Sequence, residues 1–227
     1  MNEEILRAIL LLLSSITLVG SGVVRRPGIG IIFTLAGIAF LTWSSPQTLN
    51  QFGFRGQDSW LLTMSLGFLI GSLLALLATA VIEPLAERLT GQPHDITIVE
   101  GVRGNLAVLV RWLIIIWLLV GFLEELIYRG YLMTEFVRLV GVSTASAVAS
   151  LIFSSAVFGF SHLYQGRSGT ISSSIVGLII GIVFLLSNFN LWLAILIHGV
   201  IDTVQLILIS MDKDAEVRRW FLASGGR

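Results

Sequence analysis

Long apolar runs separated by short polar breaks set the pattern of this chain. The runs lie near Ala8–Val24, Gly28–Trp43, Trp60–Ile82, Arg111–Leu139, Val142–His162, Thr170–Ser187 and Leu191–Ser210. A hydrocarbon layer of about 30 Å needs roughly 20 such residues in a helix. The pattern therefore predicts an all-α, polytopic transmembrane helix bundle of about seven spans (six to eight). The first two runs are short, which suits little tilt or a tight hairpin across Arg25-Arg26-Pro27-Gly28. The polar stretches Ser44–Ser59 and Glu83–Asn105 are the sizeable loops, and His94, beside Pro93 and Asp95, reads as a solvated loop histidine. The tail Met211–Arg227 is charged, with Val217, Trp220 and Phe221 in a weak interfacial-helix pattern.

Composition agrees with the pattern. Of 227 residues, 55% are hydrophobic and only 12% charged, and the mean hydropathy is +0.91. Soluble domains carry about 25% charged residues. A formal net charge of zero gives no electrostatic ground for a nucleic-acid partner; the partners expected are the bilayer and a peptide or membrane-protein substrate. The absence of cysteine excludes thiol nucleophiles and Cys-ligated metals. The start Met1-Asn-Glu-Glu is acidic, unlike a signal peptide, so the first run is expected to be a retained span. Loop arginines and lysines set orientation. With the N-terminus outside, the inner side gathers Arg25, Arg26, Arg88, Arg103, Arg167, Lys213, Arg218, Arg219 and Arg227. The outer side keeps Arg7, Arg55 and Arg138, so the expected multi-pass topology is N-terminus out and C-terminus cytoplasmic.

Against this apolar background three polar groupings stand out. Gly121-Phe122-Leu123-Glu124-Glu125-Leu126-Ile127-Tyr128-Arg129-Gly130 continues an apolar run without a break. Charges at bilayer depth are costly and are expected to face a protein or water-filled interior, where Glu125 and Arg129 can pair across one turn. The alternative is that 124–138 forms an interfacial helix in water. Phe158-x-x-x-His162 and His198-x-x-x-Asp202 each share a helix face. Taking Gly141 as the turn, Glu124 and His162 lie roughly 25 and 31 Å along antiparallel helices, while His198 and Asp202 lie about 12 and 18 Å into the last span. All four can meet near mid-depth. By contrast, Gly177-x-x-x-Gly181 reads as a helix-packing pair.

Glu124-Glu125-x-x-Tyr128-Arg129-Gly130, Phe158-x-x-x-His162 and His198-x-x-x-Asp202, in this order, resemble the three motifs of the CAAX protease and bacteriocin-processing family. These are intramembrane endopeptidases that include the type II CAAX prenyl proteases. The resemblance covers about Arg111 to Ser210. It divides the chain into motif-free N-terminal helices (1–105), a catalytic helical core (106–210) and a charged cytoplasmic tail (211–227). Prenyl proteases proper have Asn in the third motif, so Asp202 weakens any claim to prenylated substrates.

The resemblance implies water as nucleophile, activated by Glu124 and His162, with the oxyanion on the side of His198 and Asp202. Glu125, paired to Arg129, is the structural partner. An ionised Asp cannot donate to an oxyanion, so Asp202 must orient His198, carry a proton or bind a metal. His162, His198 and Asp202 are the candidate ligands if zinc is present. A metal-free glutamate mechanism is favoured here over a zinc one, since no His-Glu-x-x-His helix is present. An inactive membrane scaffold or immunity-type protein of the same family, and more remotely a proton-coupled carrier, are the competing readings.

Overall fold

The computed structural model describes residues 2–44 and 49–224, without the side chains of 44, 49, 50 and 220–224. Part of the expected Ser44–Ser59 loop, the Trp220 and Phe221 side chains of the tail pattern, and Arg227 therefore lie outside the described residues. The helices are α1 (Glu3–Val23), α2 (Pro27–Ser44), α3 (Trp60–Thr90), α4 (Leu106–Val140), α5 (Thr144–Ser161), α6 (Gly166–Leu186), α7 (Leu191–Ser210) and α8 (Asp214–Ser224). Six helical stretches among the described residues are long and apolar enough to cross a membrane, and α2 is a shorter apolar helix. The all-α, multi-pass integral membrane architecture follows.

Local chemistry sets the boundaries. Side chains of Asn2, Ser59, Asn105, Ser143 and Asn190 each accept a backbone N–H of the helix they open. Gly91 (φ 66°) and Gly141 (φ 102°) end α3 and α4 in backbone conformations that suit glycine. Two helices exceed their expected spans. α3 runs past Ile82 to Thr90 and α4 begins at Leu106, so the loop between them is shorter than its polar composition suggested. Within α3 a π stretch, Ala78–Ile82, precedes Pro84, which sits in the first turn of the α segment that follows. A proline there need not break the helix.

Packing relies on close helix approach. α3 buries Thr63, Gly67, Gly71, Leu74 and Ala75 against α7. A Cβ on Gly71 would lie 2.9 Å from the Ile197 carbonyl oxygen, so only glycine lets these backbones approach. α1 lies on α2 and α5, and α5 on α6. Arg7, counted among the outer charges, is instead almost fully buried. Its guanidinium pairs at 2.9 Å with Glu3 and with Glu135 of α4.

One end of the bundle gathers the chain's basic segments. Arg25, in the α1–α2 turn, pairs with Asp95 at 2.6 Å and donates to the Tyr164 carbonyl. Arg103 pairs with Asp212 and Asp214, and Arg218 with Glu83 and Glu87. The α1–α2 turn, the α3–α4 loop, the α5–α6 turn and the start of the tail therefore share one face.

Candidate active site

α4 carries the first constellation, and its backbone is irregular there. The α-helical turn Gly121–Glu125 is flanked by π stretches Ile116–Val120 and Leu126–Met133. Such bulges insert a residue and re-aim the side chains, and they recur at functional sites. Glu124, Glu125 and Arg129 are all buried, so the interfacial-helix alternative for 124–138 is excluded. Arg129 Nη1 donates to Glu125 Oε1 at 2.8 Å and Nη2 to the Gly177 carbonyl at 2.7 Å. The guanidinium also lies 5.1 Å from the Phe158 ring centroid.

Gly177 does more than pack. A Cβ on it would stand 2.9 Å from Phe158 Cδ1 and 3.3 Å from Arg129 Nη2. Its missing side chain makes room for the ring and cation that hold Glu125. Gly181, its partner in the expected packing pair, faces Leu151 and Met133.

His162 caps α5, with its backbone N–H on the Gly159 carbonyl at 3.0 Å. Its Nδ1 lies 2.8 Å from the Phe158 carbonyl, which can only accept, so Nδ1 carries the proton and Nε2 a lone pair. Nε2 stands 4.0 Å from Glu124 Oε2. On α7, His198 Nδ1 meets Glu125 Oε1 at 2.7 Å, while Nε2 lies 3.8 Å from Glu124 Oε2 and 3.6 Å from Asp202 Oδ2. The residue that holds His198 Nδ1 is thus Glu125. Asp202, for which orienting His198 was one of three expected roles, lies on the Nε2 side of that ring. Among the described residues Glu124 Oε2 has no hydrogen-bond partner.

Glu124, His162, His198 and Asp202 line a cavity of about 300 Å³ with walls largely of Ile116, Val120, Phe158, Val176 and Ile201. It reaches the basic end of the bundle, where Asp95, Gln165, Asp214 and Arg218 also line it. His94 is on its wall and half-buried, which corrects its reading as a solvated loop residue. Sequence reasoning missed Gln205 as well, although His198, Asp202 and Gln205 follow an i, i+4, i+7 face of α7. Gln205 Nε2 donates to Glu83 Oε1 at 2.7 Å. No pattern in the sequence marked Glu83 or Tyr164, whose ring centroid lies 5.5 Å from that of His162.

The donor types present, two imidazoles and carboxylates, suit zinc. A tetrahedral site with bonds of about 2.1 Å has ligand-to-ligand edges of about 3.4 Å, and the separations here are 3.6–4.0 Å. Among the described residues no group of three or more His, Asp or Glu is placed to hold a metal ion.

Residues 106–204, from the start of α4 to within α7, match the family model described as type II CAAX prenyl endopeptidase Rce1-like. The match contains Glu124, Glu125, Arg129, His162, His198 and Asp202 and leaves out α1–α3. No curated protein and no solved structure matches the chain. The helices that bring the two histidines and the glutamates together are those the family model covers, and over these residues the chain is similar to the type II CAAX prenyl endopeptidases, which supports the CAAX protease and bacteriocin-processing family.

Proposed function

We propose that this intramembrane protease is a glutamate-dependent endopeptidase in which Glu124 and His162 activate a water and His198, with Asp202, faces the oxyanion. The observation that carries this reading is the convergence of Glu124 Oε2 with His162 Nε2 and His198 Nε2, at 4.0 and 3.8 Å, from three separate helices. Those gaps are too wide for direct hydrogen bonds and suit one water held between the carboxylate and an imidazole.

In this mechanism His162 Nε2 accepts one water proton as a hydrogen bond and orients the oxygen lone pair toward the peptide carbonyl. Glu124 takes the other proton as the C–O bond forms. The tetrahedral oxyanion receives a hydrogen bond from His198 Nε2–H, with Glu125 on Nδ1 and Asp202 beside Nε2 balancing the imidazolium charge. The protonated Glu124 then delivers its proton to the leaving nitrogen as the C–N bond breaks. Arg129 takes no part in proton transfer; it fixes Glu125, and Glu125 fixes the His198 ring.

The catalytic unit in this reading is 106–210, with 1–105 framing it and the charged end of the chain at the cytoplasmic face. The orientation rests on the clustering of Arg25, Arg26, Arg88, Arg103, Arg167, Lys213, Arg218 and Arg219 at the end of the bundle that the cavity reaches. Comparing new peptide termini in membrane fractions from cells carrying the wild type or Glu124→Ala tests the activity. Fragments present only with the wild type support it. Identical terminus sets would favour a non-proteolytic scaffold.

A further inference from the structure

The α3–α4 loop is stitched onto the bundle. The His94 backbone N–H donates to Glu87 Oε1 at 2.9 Å and the Asp95 N–H to the Gln165 carbonyl at 3.1 Å. The Asp95 carboxylate is held by Arg25 at 2.6 Å and by the Thr97 N–H at 3.1 Å. These contacts fix the segment against the α1–α2 and α5–α6 turns and set the His94 ring on the wall of the cavity that holds Glu124.

The ring's neighbours define its chemistry. Nδ1 lies 3.5 Å from Ser172 Oγ, at the long end of hydrogen bonding. The single Ser172 hydroxyl proton is directed to the Ser168 and Gly169 carbonyls at 2.9 and 3.2 Å. Ser172 Oγ is therefore an acceptor toward His94, Nδ1–H is the donor, and Nε2 keeps its lone pair. Burial lowers the pKa of this imidazole, which favours the neutral ring. The imidazole stands at the polar end of the cavity, with Asp95, Gln165 and Ser172 also on the lining, where its acceptor can meet what enters, and the backbone N–H is the donor that nearly every residue of a peptide carries.

We propose that His94 is a substrate-binding residue, its Nε2 accepting a backbone N–H of the polypeptide lying along the wall formed by the α3–α4 loop and Ser172–Ser173 of α6. This rests on the protease reading. It adds a contact outside residues 106–204, so the loop specific to the N-terminal part of the chain takes part in recognition. The contact is with the backbone and asks for an extended segment rather than a particular side chain.

The absence of native cysteine permits a test that needs no turnover. His94→Cys and, as an exposed control, Gln92→Cys are placed in the Glu124→Gln background. Their reaction rates with a maleimide are measured with and without a randomised pool of N-acetylated, C-amidated octapeptides. The thiol of His94→Cys should be protected several-fold and that of Gln92→Cys not. A second arm uses otherwise wild-type protein and a quenched fluorescent peptide that it cleaves. His94→Ala should raise KM roughly 3- to 10-fold, the range of one hydrogen bond, with kcat little changed. His94→Gln, which keeps an acceptor, should recover most of that loss and exclude a folding defect. Equal maleimide rates for His94→Cys with and without peptide, or an unchanged KM in His94→Ala, would overturn the proposal. Protection of the His94→Cys thiol in a protein whose wild type cleaves no peptide would support the binding wall and reject proteolysis.

Discussion

Glu125 Oε1 accepts from both Arg129 Nη1, at 2.8 Å, and His198 Nδ1, at 2.7 Å, tying two turns of α4 to α7 through one oxygen. The carboxylate and guanidinium are almost wholly buried. Breaking a buried pair from one side leaves an uncompensated charge and costs about 3–5 kcal/mol. Arg129→Ala should therefore lower thermal stability in detergent as well as activity, and Arg129→Lys should recover part of the stability. A variant that melts with the wild type would mean that Glu125 is held by something else.

Gly177 tests the same support from the side of α6. Adding a methyl group at 2.9 Å from Phe158 and 3.3 Å from the guanidinium forces one of them to move. Overpacking of this kind costs about 1–3 kcal/mol. Gly177→Ala should reduce activity by displacing Arg129 even though no catalytic group is altered. Full activity with unchanged stability would show that the helices part without consequence for the site.

The loop should loosen on acidification. Burial holds the His94 imidazole below its ordinary value, with Arg218 acting in the same direction and Glu83, Glu87 and Asp95 opposing. Asp95 is held below the ordinary carboxyl range by the Thr97 hydrogen bonds first and then by Arg25. A lowered folded-state pKa contributes stability that is complete above the unfolded value and is lost as pH falls through the folded value. Docking should thus be firm above pH 6.5 and weaken as pH falls below it. A nitroxide label on Ile98→Cys, an exposed site, should gain mobility as pH is lowered from neutrality. A line shape independent of pH would contradict this.

The orientation is open to the same single-cysteine approach. Impermeant thiol reagents applied to intact cells should label cysteines introduced at Gly56 and Val142 and spare those at Gln92 and Lys213. The opposite pattern would invert the topology and place the cavity mouth outside.

Much of this site could be read from the sequence because helical rise is constant. Counting residues from Gly141 for Glu124 and His162, and from the Asn190 break for His198, puts the three at compatible depths, and the structure brings both imidazoles within 4.0 Å of the Glu124 carboxylate. Rotation about the helix axis is not fixed by counting once π stretches intervene. For that reason the Glu125–His198 contact is not legible in the residue spacing. The continuation of α3 through Glu83–Thr90 was hidden because a charged, proline-bearing turn has the composition of a loop. His94 was hidden too, since a polar segment folded back over a cavity has the same sequence character as one in solvent. Arg7 looked like a loop charge, whereas its distant partner Glu135 buries it in the bundle.

Zinc content separates the two chemistries open to these side chains. A metal-free mechanism predicts that purified, active protein carries far less than one zinc per chain and keeps its activity after chelation. Stoichiometric zinc, with activity lost on removal and regained on return, would replace Glu124-driven water activation by metal-assisted hydrolysis.

Everything in the proposed mechanism turns on Glu124 as the base, and the turnover of Glu124→Gln measures that role directly. The variant keeps the shape of the side chain and removes its basic oxygen, so purified wild type and variant should melt alike in detergent. Reconstituted in liposomes with a quenched peptide, the wild type should cleave, and the variant should be slower by about 10² to 10⁴-fold, the usual contribution of a general base. A folded Glu124→Gln protein that cleaves at the wild-type rate would contradict that role.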